Sequence, residues 1–134
     1  MMIKLAYTGD KEYTAVNENG NKVPIDMRSP DQKEHPSPTE LLLSALAACA
    51  AVEIVSMIKK RRKELIDLHA EVEGERREEH PRAFTKIHLK YIVTSSDLTE
   101  EEATRIVDLA TTKYCSVAGS INAEQTHSFE IKRP

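Results

Sequence analysis

Two cysteines, Cys49 and Cys115, are the residues of this sequence best suited to chemistry, and they are its only cysteines. A thiolate is a strong nucleophile that can attack an O–O bond or a disulfide. Free cysteine is also among the residue types most often found buried in cores. The pair therefore predicts either a reactive thiol pair or two purely structural core residues. Alkylation that requires unfolding would favour the structural interpretation.

The first residues of the chain indicate the cellular compartment, and with it the redox conditions that the two cysteines meet. Residues 1–7 contain no long apolar stretch of the kind found in a secretory signal peptide. We therefore expect a cytoplasmic protein. In a reducing compartment, two distant cysteines are more often free, catalytic or redox-active than permanently bridged.

Either thiol could be the nucleophile on physical grounds. Cys49 falls in the third turn of a predicted helix, beyond the first turn where the helix dipole favours an anion. A reactive Cys49 would need a cation from elsewhere, and Arg28 is the nearest upstream guanidinium. Cys115 is predicted at the start of a helical turn, where backbone N–H groups favour a thiolate. Glu40 is predicted to cap the helix, with a catalytic role as the alternative.

Composition limits the other functions. The chain has 134 residues, 40% of them hydrophobic and 31% charged, which predicts one globular domain over residues 1–134. Aromatic residues make up 4% and the formal net charge is -3. Because nucleic-acid binding needs stacking platforms and a basic surface, we expect no nucleic-acid partner. The five histidines lack metal-site spacing and the four glycines are isolated, so we predict no metal and no cofactor.

The pattern of apolar and turn residues predicts an α+β fold. The first part of the chain is predicted to form a β-meander within Ile3–Met27, a loop over Arg28–Ser37 and a helix from Pro38 to Ile58 that Ser37 and Glu40 cap. Two strands should follow, at Ile66–Arg76 and Arg82–Thr94, with a bend over Gly74–Pro81. The last part is predicted to form a helix that Thr99 and Glu102 cap, with an apolar stripe at Ala103, Ile106, Val107 and Ala110, then a short helical segment at Ser116–Ile121 and a strand at His127–Lys132.

The central helix is unusually apolar. Between Leu41 and Val52 only Ser44 is polar, which predicts a helix buried on every side. A membrane span is the alternative, but the stretch is Ala-rich and interrupted by Glu53, so we expect no membrane partner. Its small residues favour close approach of another helix, which a second subunit could supply. The basic run Lys59–Lys63 is predicted to be a solvated helix end, with an anion-binding patch as the alternative.

This order of elements, together with the segments at residues 37–49 and 113–118, resembles the OsmC/Ohr family over essentially the whole chain. The segments at residues 75–85 and 126–130 are similar to its YhfA-like branch. The resemblance implies an OsmC-like fold and an intertwined homodimer with active sites at the subunit interface. It also implies a peroxidase of oxidative-stress defence. In such an enzyme Cys49 attacks an organic hydroperoxide, Cys115 resolves the sulfenic acid into a disulfide, and a dithiol reductant restores both thiols.

The resemblance extends the predicted site to Arg28 and Glu40. In peroxidase members a Glu directly follows the Pro that opens the helix, whereas here Thr39 follows it and Glu40 comes next. Arg28 is near the position of the activating Arg of OsmC-type members after a one-residue shift. The alternative is a non-enzymatic thiol sensor or a small-ligand-binding protein that uses an apolar cleft beside Cys49. Replacing Arg28 by Ala raises the pKa of Cys49 under the enzyme hypothesis and leaves it unchanged under the alternative.

Overall fold

The structure is a computed structural model that describes residues 1–134, and it confirms the predicted α+β class. In chain order the elements are β1 (Lys4–Gly9), β2 (Glu12–Val16), β3 (Lys22–Asp26), α1 (Pro38–Lys60), β4 (Asp67–Arg76), β5 (Phe84–Thr94), α2 (Glu100–Leu109), a π-helical turn (Ala110–Tyr114), α3 (Ser116–Gly119) and β6 (Glu124–Lys132). The chain forms two compact units, Met1–Leu42 and Leu43–Pro134, called here the first and second units. The organisation of residues 1–134 as one domain stays a prediction.

The first unit is built on an antiparallel sheet in the order β1-β2-β3, which confirms the predicted meander. Its turns use the left-handed backbone region, with φ of 84° at Gly20 and 60° at Lys11. A Cβ is disfavoured in that region, and Gly20 avoids the cost. Beyond β3, residues 27–37 form the loop that leads to α1, as predicted.

The second unit is built on the sheet β4-β5-β6, in which β4 and β5 are antiparallel and β5 and β6 are parallel. Alternation along β5 places one set of its side chains on the inner face of this sheet. The core joins residues of β5 to one face each of α1 and α2. Its largest contributors are Ile87, Leu89, Tyr91, Val93, Leu46, Ile54, Ile58, Ile106 and Val107.

Burial of α1 differs from the prediction. Only Leu46, Ala50, Ile54 and Ile58 are buried, and they recur every four residues along one face. Val52, on another face, is 66% exposed. The prediction that α1 is buried on every side is therefore wrong for a single chain, because the core of the second unit packs against only one face of the helix. By length and composition α1 is also long enough and apolar enough to cross a membrane.

Two of the basic residues after α1 form ion pairs, although the sequence predicts a solvated helix end. Arg61 and Lys63 each approach the carboxylate of Glu102, at 3.7 and 3.5 Å. Glu102 also completes the predicted capping box with Thr99 at the start of α2. These ion pairs connect the end of one helix to the start of the next, a role that the pattern of charges did not predict.

The bend between β4 and β5 begins and ends later than predicted, over residues 77–83. Gly74 lies within β4, opposite Ile87, and the chain leaves regular structure only after Arg76. A Cβ at Gly74 would come within 2.5 Å of the Phe84 ring. Glycine is therefore required here because the aromatic ring occupies the space above the strand, and not because the chain turns.

Candidate active site

The second unit brings Cys49 and Cys115 together. Cys49 lies in the third turn of α1, as predicted. Cys115 follows the π-helical turn and caps α3, so it lies at the start of a helical turn, as predicted. The sulfur of Cys115 lies 3.9 Å from the carbonyl oxygen of Leu46, one turn before Cys49. Neither cysteine forms a disulfide, and each thiol shifts the pKa of the other.

Cys49 is partly exposed and faces the turn after Cys115. The backbone N–H of Val117 lowers the pKa of the Cys49 thiol, and this effect exceeds the opposing effect of burial. The thiol of Cys115 and the hydroxyl of Ser116, whose Oγ lies 3.8 Å from the Cys49 sulfur, add to the lowering. Hydrogen bonds to the charged form favour ionisation. Neutral donors from this turn therefore stabilise a Cys49 thiolate.

The pKa of the Cys115 thiol is shifted in the opposite direction from that of Cys49. Its side chain is 5% exposed, and burial raises the pKa of the thiol. The backbone N–H of Ala118, 3.3 Å from the sulfur, opposes this rise without cancelling it. The N–H groups of the turn favour a Cys115 thiolate as predicted, but desolvation outweighs them, so the pKa of Cys115 is raised.

Tyr91 is a further residue of the site that the sequence did not single out. It is fully buried on the inner face of β5, and its hydroxyl donates to the carbonyl oxygen of Ala47 over 2.9 Å. Burial, and next the charges of Cys115 and Cys49, raise the pKa of its phenol. Tyr91 therefore stays a neutral donor next to both sulfurs. Alternation along β5 predicts that it points inward, but not which carbonyl it meets.

Arg28 lies in the first unit and is paired there with acidic residues. Its guanidinium contacts the buried carboxylate of Asp26 at 2.7 Å and that of Glu12 at 2.8 Å. The hydrogen bond with Asp26 raises the pKa of Arg28, and the same contact holds the pKa of Asp26 well below its usual range. Within its unit, Arg28 thus neutralises a buried acid.

Glu40, also in the first unit, caps α1 as predicted. Its carboxylate accepts from the backbone N–H of Ser37 at 3.0 Å and pairs with Lys33. The hydrogen bond from Lys33, followed by those from Ser37, lowers the pKa of Glu40 to about 2. The assignment of Arg28 and Glu40 to the site of Cys49 and Cys115 stays a prediction.

Sequence reasoning missed the donors that surround Cys49. Ser116 and Val117 directly follow Cys115, so a turn that brings its cysteine close to Cys49 brings them as well. That proximity is the one sequence signal that could have found them. No group of three or more His, Cys, Asp and Glu side chains has an arrangement that could hold a metal ion.

Comparison with known proteins identifies the family. The profile of the family described as OsmC-like protein matches residues 30–130. The protein YhfA of Escherichia coli is 36% identical over 133 residues, which are 98% of each chain. A hypothetical protein from Aquifex aeolicus is 26% identical with a TM-score of 0.87, over 99% of this chain and 96% of that chain. The organic hydroperoxide resistance protein OhrB of Bacillus subtilis, 19% identical over 98% of both chains, shares the fold with a TM-score of 0.63. The chain therefore belongs to the OsmC-like protein family, as its resemblance predicted.

Proposed function

We propose that this protein is a homodimeric, cysteine-based peroxidase that reduces organic hydroperoxides in oxidative-stress defence. Cys49 is the attacking thiolate, Cys115 is the resolving thiol, and a dithiol reductant regenerates the pair. Membership of the OsmC-like family supports a redox role, and the fold is shared with OhrB, a protein named for organic hydroperoxide resistance.

The proposed reaction has three steps. The thiolate of Cys49 attacks the terminal oxygen of R–O–O–H, so that an S–O bond forms, the O–O bond breaks and R–O⁻ leaves to take a proton from water. The thiol of Cys115 then attacks the Cys49 sulfenic acid, which releases water and forms a disulfide. Finally a dithiol reduces the disulfide by thiol–disulfide exchange and becomes oxidised itself.

One observation carries this proposal. The two thiols are neighbours, and their pKa values are shifted in opposite directions, downward for Cys49 and upward for Cys115. The attacking sulfur of a peroxidase has to be ionised, whereas the resolving thiol can remain protonated until a sulfenic acid forms beside it. Partial exposure of Cys49 and burial of Cys115 fit the same division of roles.

Thiol titration tests the proposal. One equivalent of cumene hydroperoxide should remove both titratable thiols from the micromolar reduced protein within minutes, and mass spectrometry should find a Cys49–Cys115 disulfide. The Cys115→Ser variant should lose one thiol and accumulate a sulfenic acid on Cys49 that dimedone traps. Unchanged thiol counts in the wild-type protein would refute peroxidase activity.

A thiol sensor would use the same pair and would pass that first test. Turnover separates the two functions. With excess dithiothreitol, a peroxidase should consume many equivalents of cumene hydroperoxide per protein at a constant rate. A sensor should react with one equivalent and then turn over far more slowly, because its disulfide has to resist reduction by the dithiol for the signal to persist.

The homodimer is proposed from exposed apolar surface. Ala45, Ala48 and Val52 share an uncovered face of α1, and in the first unit Leu5 and Tyr7 are exposed on β1. Exposed apolar patches of this kind mark protein–protein contacts. A second copy of the chain would bury the small-residue face of α1 against its own counterpart.

Arg28 and Glu40 are proposed to act on Cys49 at the subunit interface. Replacing Arg28 by Ala tests this, because loss of a nearby cation should raise the pKa of Cys49 clearly. Asp26→Asn is the matched variant, since it disturbs the same ion pair but keeps the cation. A Cys49 pKa that is unchanged in Arg28→Ala would limit Arg28 to neutralising Asp26.

A further inference from the structure

Ser116 contributes a side-chain donor at Cys49 that the three steps above do not use. Its Oγ lies 3.8 Å from the Cys49 sulfur. Ser116 is exposed, whereas the neighbouring Cys115 is buried. The hydroxyl is therefore close to the reactive sulfur and belongs to a residue that solvent, and a hydroperoxide arriving from it, can reach.

The Ser116 hydroxyl differs in mobility from the other donors at this sulfur. The N–H of Val117 is part of the backbone and keeps its direction, but a serine hydroxyl rotates to suit its acceptor. During attack on a hydroperoxide, negative charge leaves the sulfur and builds up on the departing oxygen. A donor that can turn from sulfur to oxygen stabilises the transition state more than the ground state, which is what lowers a barrier.

We propose that Ser116 is a catalytic residue, whose hydroxyl donates to the Cys49 thiolate before attack and to the departing R–O⁻ oxygen as the O–O bond breaks. This inference rests on the proposed peroxidase function. Ser116 keeps its own proton throughout, and the alkoxide takes its proton from water. Cys49 is oxidised to the sulfenic acid and the hydroperoxide is reduced to the alcohol, so no further reactant is needed.

Comparison of two reactions of Cys49 isolates this role. Cumene hydroperoxide loses an oxygen anion that accepts strong hydrogen bonds, whereas iodoacetamide loses iodide, a poor acceptor. At a pH above the Cys49 pKa of each variant, Ser116→Ala should lower the rate constant for cumene hydroperoxide about tenfold, the usual scale for one hydrogen bond to a charged group. Alkylation, followed by peptide mass spectrometry at Cys49, should change less than about twofold, because no such bond is lost.

Matched variants accompany the measurement. Ser120 lies in the same turn and donates its hydroxyl to the Ser116 carbonyl oxygen over 2.9 Å, so Ser120→Ala should leave both rates unchanged. Ser116→Thr keeps a hydroxyl and should retain most of the peroxide rate. Ser116→Gly is a second variant without a hydroxyl, and it should reproduce the selective loss.

The outcomes separate this inference from the proposed function. Equal slowing of both reactions in Ser116→Ala and Ser116→Gly, or no slowing of either, would overturn the role of Ser116 while the wild-type protein still reduces peroxide. A wild-type protein that alkylates at Cys49 but does not react with cumene hydroperoxide would overturn the peroxidase itself. Selective loss of the peroxide rate would support both.

Discussion

The hydroxyl of Tyr91 on β5 donates to the carbonyl oxygen of Ala47 on α1 over 2.9 Å, two residues before Cys49. The next carbonyl oxygen toward the helix start, that of Leu46, lies 3.9 Å from the sulfur of Cys115. Two successive carbonyl groups of α1 thus face side-chain donors from the rest of the second unit. We infer that Tyr91 positions α1, and with it Cys49, relative to Cys115.

Tyr91→Phe should therefore slow disulfide closure more than the first attack on peroxide. The ring would still fill the core, and the variant should lose about 1 kcal/mol of stability with the hydrogen bond. Dimedone trapping should detect a Cys49 sulfenic acid that persists several-fold longer than in the wild-type protein. Tyr7→Phe is the control, because Tyr7 is 71% exposed. A lower melting temperature with an unchanged rate of disulfide closure would mean that Tyr91 contributes to stability and does not position Cys49.

Local patterns predicted much of this fold. The capping boxes at Ser37 and Thr99 and the alternation along β5 depend on neighbours in sequence, and each occurs where the pattern places it. The donors to Cys49 could not be derived in this way, because Ser116 is 67 positions away and reaches it only through the tertiary fold. Burial of α1 was overestimated for a related reason, since an apolar sequence does not say whether its partners lie in the same chain.

Acid should destabilise the first unit through Asp26 and Glu40. Both carboxyl groups have folded-state pKa values below their usual range, that of Glu40 at about 2. The ionised carboxylates therefore add their full contribution to the free energy of unfolding above the ordinary carboxyl pKa of about 4. This contribution is lost progressively as the pH falls toward about 2. Urea unfolding monitored between pH 5 and pH 2.5 should show a falling free energy of unfolding.

Asp26→Asn is the control for this pH dependence. The amide cannot titrate, so the variant should be less stable than the wild-type protein at pH 6 and should approach it at pH 2.5. Equal slopes of stability against pH for both proteins would show that Asp26 does not contribute through its ionisation.

Gly74→Ala should destabilise the second unit by overpacking. The added Cβ would come within 2.5 Å of the Phe84 ring and 3.3 Å of Leu43, so the core would have to shift. Such overpacking usually costs about 1–3 kcal/mol. Gly119→Ala is the matched control, because its Cβ would meet nothing within 4 Å. Chemical denaturation should show a lower midpoint for the first variant alone, and equal midpoints would mean that the Phe84 ring moves aside freely.

Val52→Asp should disrupt the proposed homodimer. Val52 is 66% exposed on the uncovered face of α1, so an aspartate there costs the separate chain little. At an apolar subunit contact the same carboxylate would be buried without a partner, a penalty of several kcal/mol. We expect the dimer dissociation constant to rise at least about a hundredfold, measured by analytical ultracentrifugation.

The Val52→Thr variant completes this last test, because it keeps the shape of the side chain and adds no charge. It should remain dimeric at concentrations where Val52→Asp is monomeric. If the dimer buries Cys49 at its interface, as the family resemblance implies, Val52→Asp should also lose peroxide reduction while each chain keeps its helical circular dichroism. A wild-type protein that sediments as a monomer at micromolar concentration would contradict the dimer, and an active Val52→Asp monomer would place the whole reaction within one chain.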